Sequence, residues 1–276
     1  MKGCPIRILM IKEIRDSRRN RWFMVISILF ALLSVSLSLL GLSGLGTVGI
    51  AGFGRTAASL LNLVLLIVPL MALLLGAMSI TGEKEQGTLL TLFAQPVSVS
   101  EVFLGKFLGT AAALITTLCV GFGFSGLVIA QYAGLDQISD YLILVGFTLL
   151  LGICFLSIGF CVSVFSKRHA TAVGTSIFLW FLFLFLSDLG LMGTAIILKL
   201  SARDLLWLVM INPAQSFKLA VIGSLQKSLE AFGAAGLYAY EVFGEWLQAF
   251  LVFVMVLWIA VPLTGAFVFF RKKCID

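Results

Sequence analysis

The sequence predicts an all-α, polytopic membrane protein with six transmembrane helices. Of its 276 residues, 61% are hydrophobic and only 12% are charged, which is too little polar surface for a soluble domain. Six apolar runs reach the length of about 20 residues that a helix needs to cross a hydrocarbon core of about 30 Å. Lys and Arg concentrate in alternate connections between these runs. We therefore predict a single membrane domain over residues 1–276.

The apolar runs, in chain order, cover residues 22–42, 57–80, 102–132, 141–165, 170–186 and 247–270. The third run is too long for one straight crossing, so we expect residues 103–107 to form an elbow in the membrane interface. Between the fifth and sixth runs lies the segment 187–246, whose apolar stretches 189–200 and 205–211 are too short to span. We expect this segment to be periplasmic or re-entrant.

The leader, residues 1–21, is predicted to be a cytoplasmic helix at the membrane interface. One helical face carries the apolar residues Ile6, Leu9, Met10 and Ile14. Ile8 and Ile11 fall outside that face, and basic residues occupy much of the remainder. The leader is too long for a cleaved signal peptide, so we expect the first run to be retained as a span. A simple topology anchor and a mechanical role are both compatible with this pattern.

Orientation follows from the basic residues. With the N-terminus inside, the cytoplasmic pieces carry 14 of the 19 Lys and Arg and the outer pieces carry 5, so both termini are predicted to be cytoplasmic. The net charge of +6 then lies where anionic lipid headgroups lie. Membrane lipid, and not nucleic acid, is therefore the expected partner of these residues.

Residues that could perform chemistry are scarce. The single histidine, His169, lies in a short inner loop, so a metal site with two histidines cannot form, and no G-x-S-x-G elbow is present. No Asp, Glu, Lys, Arg or His falls near a predicted bilayer centre, where ion-coupled carriers usually need one. We predict no catalytic residue, no metal site and no cofactor bound by this chain, which is therefore not an enzyme. Energy for any work would come from another subunit.

A charged hairpin, residues 81–101, connects the second and third spans on the cytoplasmic side. Gly82 and Gly87 bracket a predicted short helix with Glu83 and Glu85 at its N-terminal end, where carboxylates are favoured by about 0.3–1 kcal/mol. An apolar run follows, and Ser98-Val99-Ser100-Glu101 predicts the start of the next helix. The hairpin would form a compact amphipathic knob, although a passive charged turn would have the same composition.

These residues resemble a known family. Gly82-Glu83-Lys84-Glu85-Gln86-Gly87-Thr88, followed by Leu92 and Pro96-Val97, resembles the coupling loop of type-2 ABC transporter permeases, six-helix subunits that pair with separate ATPase chains. The basic leader, Gly105-x-x-x-Gly109 and the long segment before the last span fit the same architecture. Within the family, residues 11–22 and 211–218 resemble the permeases of nitrous oxide reductase maturation systems.

The resemblance implies a subunit that couples ATP hydrolysis to transport or to a periplasmic conformational change, in the assembly of the copper site of nitrous oxide reductase. It implies location in the bacterial inner membrane. The implied partners are a second copy of the chain, two cytoplasmic ABC ATPase subunits that hold ATP and Mg, and a periplasmic accessory protein. An ATP-independent secondary carrier and a structural membrane anchor for a periplasmic protein are the alternatives.

The resemblance also implies roles for particular residues. The ATPase contacts would be Glu83, Lys84, Glu85, Gly87 and Thr88. The periplasmic partner would contact an aromatic and acidic surface, of the kind enriched at interfaces, or this surface would instead form a lid on the membrane. Its residues are Asn212, Pro213, Tyr238, Tyr240, Glu241, Phe243, Glu245 and Trp246. Gly105 and Gly109 would be helix contacts.

Overall fold

The computed structural model of the chain describes residues 5–43, 50–93, 97–132, 138–190, 193, 201–225 and 233–275. Within these ranges the chain is a series of helices with short connections. They are α1 Pro5–Arg19, α2 Arg21–Ser43, α3 Ile50–Glu85, α4 Thr88–Phe93, α5 Val99–Tyr132, α6 Ile138–Phe165, α7 His169–Phe181, α8 Ala202–Met210, α9 Pro213–Leu225, α10 Gly233–Phe243 and α11 Leu247–Ile275. A π-helical turn, Leu182–Leu186, extends α7, and a short 3-10 turn, Gly244–Trp246, precedes α11.

Six of the described helical segments are long and apolar enough to cross a membrane, which confirms the all-α class and the six predicted spans. They are Arg21–Gly41, Thr56–Glu85, Val99–Gln131, Ile138–Phe165, His169–Gly190 and Leu247–Lys272. The third runs as one unbroken helix, so the elbow expected over residues 103–107 does not form a separate element. Phe103 and Phe107 are instead buried in the bundle, where both rings pack edge-to-face on Phe160.

The centre of the bundle is the contact between α3 and α6, whose backbones touch. A Cβ added at Gly76 would lie 2.6 Å from the carbonyl oxygen of Leu156. One added at Gly159 would lie 2.6 Å from the carbonyl oxygen of Leu73. Each glycine therefore leaves space for the backbone of the other helix, because no side chain stands between them. This close approach makes the α3–α6 pair a rigid centre for the other spans.

The leader helix α1 packs along the first turns of α5. Gly105 and Gly109 face it, since a Cβ at these positions would lie 2.8 Å from the Cβ of Leu9 and 2.6 Å from the Cβ of Glu13. Asn20 separates α1 from α2 and caps α2, because its Oδ1 accepts from two backbone N–H groups of the first turn at 3.1 and 3.3 Å. The first span therefore begins directly where the leader helix ends.

Between α7 and α11 the chain forms a bent helix pair. α8 and α9 meet at an angle of 113°, which is the geometry of a broken span or a re-entrant loop. Most of the predicted apolar stretch 189–200 lies outside the described residues. A separate apolar cluster holds α8, α9, α10 and the start of α11 together and is formed by Leu206, Val209, Met210, Leu219, Ala220, Ala239, Leu247 and Leu251. The assignment of this segment to the periplasmic side stays a prediction.

We predict that Gly76→Val and Gly159→Val each destabilise the folded protein by about 1–3 kcal/mol, because the added side chain pushes α3 away from α6. Thermal unfolding of the detergent-solubilised chain measures this effect. Gly146→Val is the matched control, since a Cβ at this position of α6 meets nothing within 4 Å. Equal unfolding temperatures for Gly76→Val and Gly146→Val would show that the two backbones are not in contact.

Candidate functional site at the charged turn

The helix α3 continues through the charged segment as far as Glu85. The prediction that Glu83 and Glu85 begin a short helix is therefore wrong. Both carboxylates lie at the C-terminal end of a long helix, where the helix dipole disfavours negative charge. The helix stops at Gly87, whose φ of 70° is the left-handed conformation that glycine adopts most easily, and α4 begins at Thr88. Carboxylates in this position need cations or N–H donors from other parts of the chain.

Glu83 is paired with two lysines of the same chain, the buried Lys106 and the exposed Lys12. Lys106 is only 1% exposed, and its Nζ lies 3.0 Å from Oε1 of Glu83 and 2.5 Å from Oε1 of Glu13. It also donates to the backbone carbonyl of Ser79 at 3.1 Å, so each of the three ammonium donors has an acceptor. Lys12 donates to the same Oε1 of Glu83 at 2.6 Å. Lys12, Glu13, Glu83 and Lys106 form an ion cluster with no net charge, which lowers the cost of burial.

Burial and charge act in opposite directions on the two members of the ion cluster that α1 contributes. Burial raises the pKa of the Glu13 carboxyl above its ordinary value, although Lys106 opposes this effect. Burial acts to lower the pKa of Lys12, but the hydrogen bond and the charge of Glu83 outweigh it, and the pKa is raised. Lys12 therefore releases its proton less readily than an ordinary lysine. Glu13 takes up a proton more readily than an ordinary glutamate.

A polar cavity of about 310 Å³ borders the ion cluster. Asp16 and Asn20 line it from the α1 side, Ser79 and Gln86 from the α3 side. This volume holds several water molecules. Among the described atoms, Oε2 of Glu83 and Oγ of Ser79 are buried without a hydrogen-bond partner. Glu13, Glu83 and Lys106 of the ion cluster also line this cavity, so their polar atoms face a space large enough for water.

Lys84 and Glu85 tie the same turn to two further helices. Lys84 donates to the carbonyls of Ser163 and Val164 at 3.1 and 2.9 Å, in the last turn of α6, where a cation is favoured. Oε2 of Glu85 accepts from the backbone N–H of His169 at 2.7 Å, at the start of α7, where a carboxylate is favoured. Three consecutive charged residues therefore bind the end of α3 to α1, α5, α6 and α7.

The exposed part of the predicted ATPase-contact set is smaller than the sequence indicates. Glu83 and Lys84 are half-buried and make the internal contacts described above. Glu85, Gly87 and Thr88 are exposed, and so is Gln86 between them. We call residues 85–88 the docking turn. Their contact with an ATPase subunit stays a prediction.

At the opposite end of the molecule, Asn212 and Pro213 lie at the break between α8 and α9 and are buried. Nδ2 of Asn212 donates to the carbonyl of Phe183 at 2.5 Å, within the π-helical turn that extends α7. Oδ1 of Asn212 accepts from the N–H of Ala214 at 2.8 Å and caps α9. Asn212 therefore links the helix break to the fifth span and is not part of an outer surface.

A second contact strengthens this link. Asp188, in the span His169–Gly190, accepts a hydrogen bond from the side chain of Gln215 and lies 3.7 Å from Nζ of Lys218. Both partners belong to α9, which is the second helix of the bent pair. This end of the fifth span is thus bound to the bent helix pair by Asn212 at the break and by Gln215 and Lys218 of α9.

The remaining residues of the predicted periplasmic set divide by exposure. Tyr240, Glu241 and Trp246 are exposed, which makes them available to a partner. Tyr238 and Phe243 are half-buried, and the ring of Phe243 stacks on a phenylalanine of α11 with a centroid distance of 4.3 Å. The side chain of Glu245 lies outside the described residues. A partner contact at this surface stays a prediction.

Sequence reasoning missed the ion cluster. Glu13 follows Leu9 by four residues and so shares its helical face, and a carboxylate on an apolar face was the available signal. Lys106 likewise stands one position after Gly105 in an otherwise apolar run. Neither signal identifies the partner, because the partners come from other helices.

The fold and the charged turn define a multi-pass membrane subunit of the permease class. The chain belongs to the family described as ABC-2 family transporter protein, which it matches over residues 7–274. Two relatives are both named "Probable ABC transporter permease protein NosY". The one from Pseudomonas aeruginosa is 37% identical over 216 residues, 75% of this chain and 78% of the relative. The one from Stutzerimonas stutzeri is 32% identical over 268 residues, 95% of this chain and 96% of the relative. The predicted permease family is confirmed.

We predict that Lys106→Met destabilises the protein by about 3–5 kcal/mol, because it leaves buried carboxylates without their central cation. Chemical denaturation in detergent measures the loss. Adding Glu13→Leu to Lys106→Met should recover part of it, since one uncompensated charge is removed. Lys218→Met is the control, because its pair with Asp188 is partly exposed and costs about 0–1 kcal/mol to break. A loss no greater than that of the control would contradict a stabilising cluster.

Proposed function

We propose that this permease couples ATP hydrolysis on separate subunits to a conformational change at the outer side of the bacterial inner membrane, in the maturation of the copper site of nitrous oxide reductase. Two copies of the chain pair, and each receives one cytoplasmic ABC ATPase subunit that holds ATP and Mg. Both termini are cytoplasmic, and the segment 187–246 faces a periplasmic accessory protein. The relatives named NosY and the resemblance of residues 11–22 and 211–218 support this task.

The observation that carries the proposal is the fixation of the end of α3, directly before and within the docking turn. Glu83, Lys84 and Glu85 bind four helices within a single helical turn. A force on the exposed docking turn therefore displaces these helices together, because packed helices transmit displacement with little compression. A passive turn would need contacts only with the two helices that it connects. Because the side chains of Glu83, Lys84 and Glu85 contact four different helices, we favour a role of the charged turn in transmitting force.

The span that contains α7 offers a route from the docking turn to the other end of the bundle. Glu85 holds the first N–H of this span, while Asn212 and Gln215 hold Phe183 and Asp188 near its far end. The 22 residues from His169 to Gly190 cover about 33 Å, close to the thickness of the hydrocarbon core. A shift of the docking turn can therefore reach the bent helix pair through one helix. ATP binding would drive this shift by favouring one arrangement over the other.

The exposed residues on α10 and the following turn supply the output surface. Tyr240, Glu241 and Trp246 are exposed, while Tyr238 and Phe243 of the same segment pack against the apolar cluster of the bent helix pair. Movement of the bent pair would therefore change what this surface presents to a periplasmic partner. This interpretation needs no charged residue within the spans, in agreement with the absence of such residues from the predicted bilayer centres.

We predict that Gln86→Trp reduces binding of the ATPase subunit at least about 30-fold, a loss of about 2 kcal/mol that is typical of an interface centre. The bulky ring would block the docking turn, whereas reversal of Glu83 would disturb the ion cluster as well. Co-purification with the ATPase from mild detergent, at several ATPase concentrations, measures the change. Gln131→Trp is the matched control, since Gln131 is exposed at the opposite end of α5.

The alternatives give different results in the same experiment. A secondary carrier would retain uptake or efflux without nucleotide hydrolysis, and a membrane anchor would tolerate Gln86→Trp with no loss of its outer partner. The proposal is overturned if no ATPase travels with the unmodified chain, or if Gln86→Trp and Gln131→Trp bind the ATPase equally well.

A further inference from the structure

The leader helix α1 has a second face that the ion cluster does not use. Leu9, Glu13 and Ser17 recur every four residues and are buried against the bundle. On the opposite side of the helix, Ile8 and Ile11 are 62% and 49% exposed. α1 therefore places a carboxylate inside and two isoleucines outside, which is the reverse of the pattern in a water-exposed helix.

Arginines share the outward face. Arg15, Arg18 and Arg19 are exposed, and Trp22, the second residue of α2, is 70% exposed. In the part of the chain that the structure describes, the salt bridges use Lys12, Lys106 and Lys218 and no arginine. Exposed isoleucine and arginine on one helical face, with an exposed tryptophan at the start of the next helix, are typical of a helix that lies in the membrane interface and attracts anionic headgroups.

The length of α5 indicates the depth of this face. Its 34 residues measure about 51 Å, roughly 20 Å more than the hydrocarbon core. α1 packs on Gly105 and Gly109, close to the start of α5, and so lies beside the part of α5 that extends toward the headgroups. We therefore expect the arginines of α1 to lie at the level of lipid phosphates.

We infer that the outward face of α1 binds anionic phospholipid headgroups, and that this contact controls the ion cluster and thereby the ATPase rate of the complex. Lys12 and Glu13 lie on the same helix as the arginines, so a tilt of α1 in the headgroup layer moves the partners of Glu83 and Lys106. Anionic lipid holds the cluster assembled and keeps the docking turn rigid. The binding part is independent of the proposed function, whereas the control of ATP hydrolysis rests on it.

The binding part is tested by native mass spectrometry of the full chain, extracted from vesicles made of equal parts phosphatidylcholine and phosphatidylglycerol. The variant R15Q/R18Q/R19Q should retain phosphatidylglycerol about 100-fold more weakly, since each arginine near an anionic surface contributes roughly a fivefold factor. R271Q/K272Q is the matched control, because both side chains are exposed at the end of α11 and are predicted to lie on the same side of the membrane. It should retain the lipid.

Two results would overturn the binding part. One is equal retention of phosphatidylglycerol by the chain with its arginines and by R15Q/R18Q/R19Q. The other is displacement of the bound lipid by soluble glycerol phosphate, at concentrations at which phosphatidylglycerol vesicles do not displace it. That result would identify a site for a free phosphate rather than for a membrane surface.

The control of ATP hydrolysis is tested with the complete complex in nanodiscs of phosphatidylcholine alone and of the equal mixture. Phosphatidylglycerol should raise the rate several-fold for the unmodified chain and leave R15Q/R18Q/R19Q unchanged. A rate that does not respond to lipid overturns this part, and so does loss of the ATPase from the variant in both lipids, because α1 would then contact protein. If the unmodified complex hydrolyses no ATP in either lipid, the proposed function fails, while lipid retention still decides the binding part.

Discussion

The buried ammonium group of Lys106 needs three hydrogen-bond acceptors, and this requirement determines how the helices meet at one end of the molecule. Lys106 is 1% exposed, and its three donors can be satisfied only if Glu13, Glu83 and a backbone carbonyl of α3 converge on it. Convergence requires α1 to lie close to α5, which Gly105 and Gly109 permit. It also requires α3 to continue as a helix into the charged segment. The position of the leader helix and the shape of the hairpin are therefore consequences of one buried charge.

Features that depend on neighbouring residues were predictable from the sequence. The six spans follow from the length of the apolar runs, and the structure has all six. The start of α5 was also predictable, because it depends on an interaction between neighbouring residues. Ser98 donates its N–H to the Glu101 carboxylate at 2.8 Å, and the N–H of Glu101 donates to the Ser98 hydroxyl at 3.3 Å. This reciprocal pair confirms the predicted helix start, since four consecutive residues contain the whole interaction.

Features that depend on distant residues were not predictable in the same way. Glu83 and Lys12 are 71 positions apart, and Lys106 and Glu13 are 93 apart. Nothing in the hairpin itself shows that Glu83 has such partners. The local helix-dipole argument therefore placed Glu83 at the N-terminal end of a short helix, whereas it lies at the C-terminal end of α3. The contact of Gly76 with α6 is similar, because no short glycine spacing marks it, whereas Gly105-x-x-x-Gly109 is visible in the sequence. The tertiary contacts decide where each charge and each glycine acts.

The charged contacts between helices are confined to the two ends of the bundle. The described ion pairs lie at the ends of the spans, with the Lys106 cluster at one end and Asp188 with Lys218 at the other. Between them, buried hydroxyls such as those of Thr148 and Ser176 bond to carbonyls of their own helix. Other buried hydroxyls join neighbouring helices through neutral hydrogen bonds, such as Ser38 with Ser125 at 2.5 Å and Ser157 with the carbonyl of Trp258 at 3.1 Å. A shift of the spans would therefore break neutral contacts, whereas no buried charge would lose its partner. The charged contacts that join one helix to the next therefore lie at the ends of the bundle, which is where the proposed coupling to an ATPase would act.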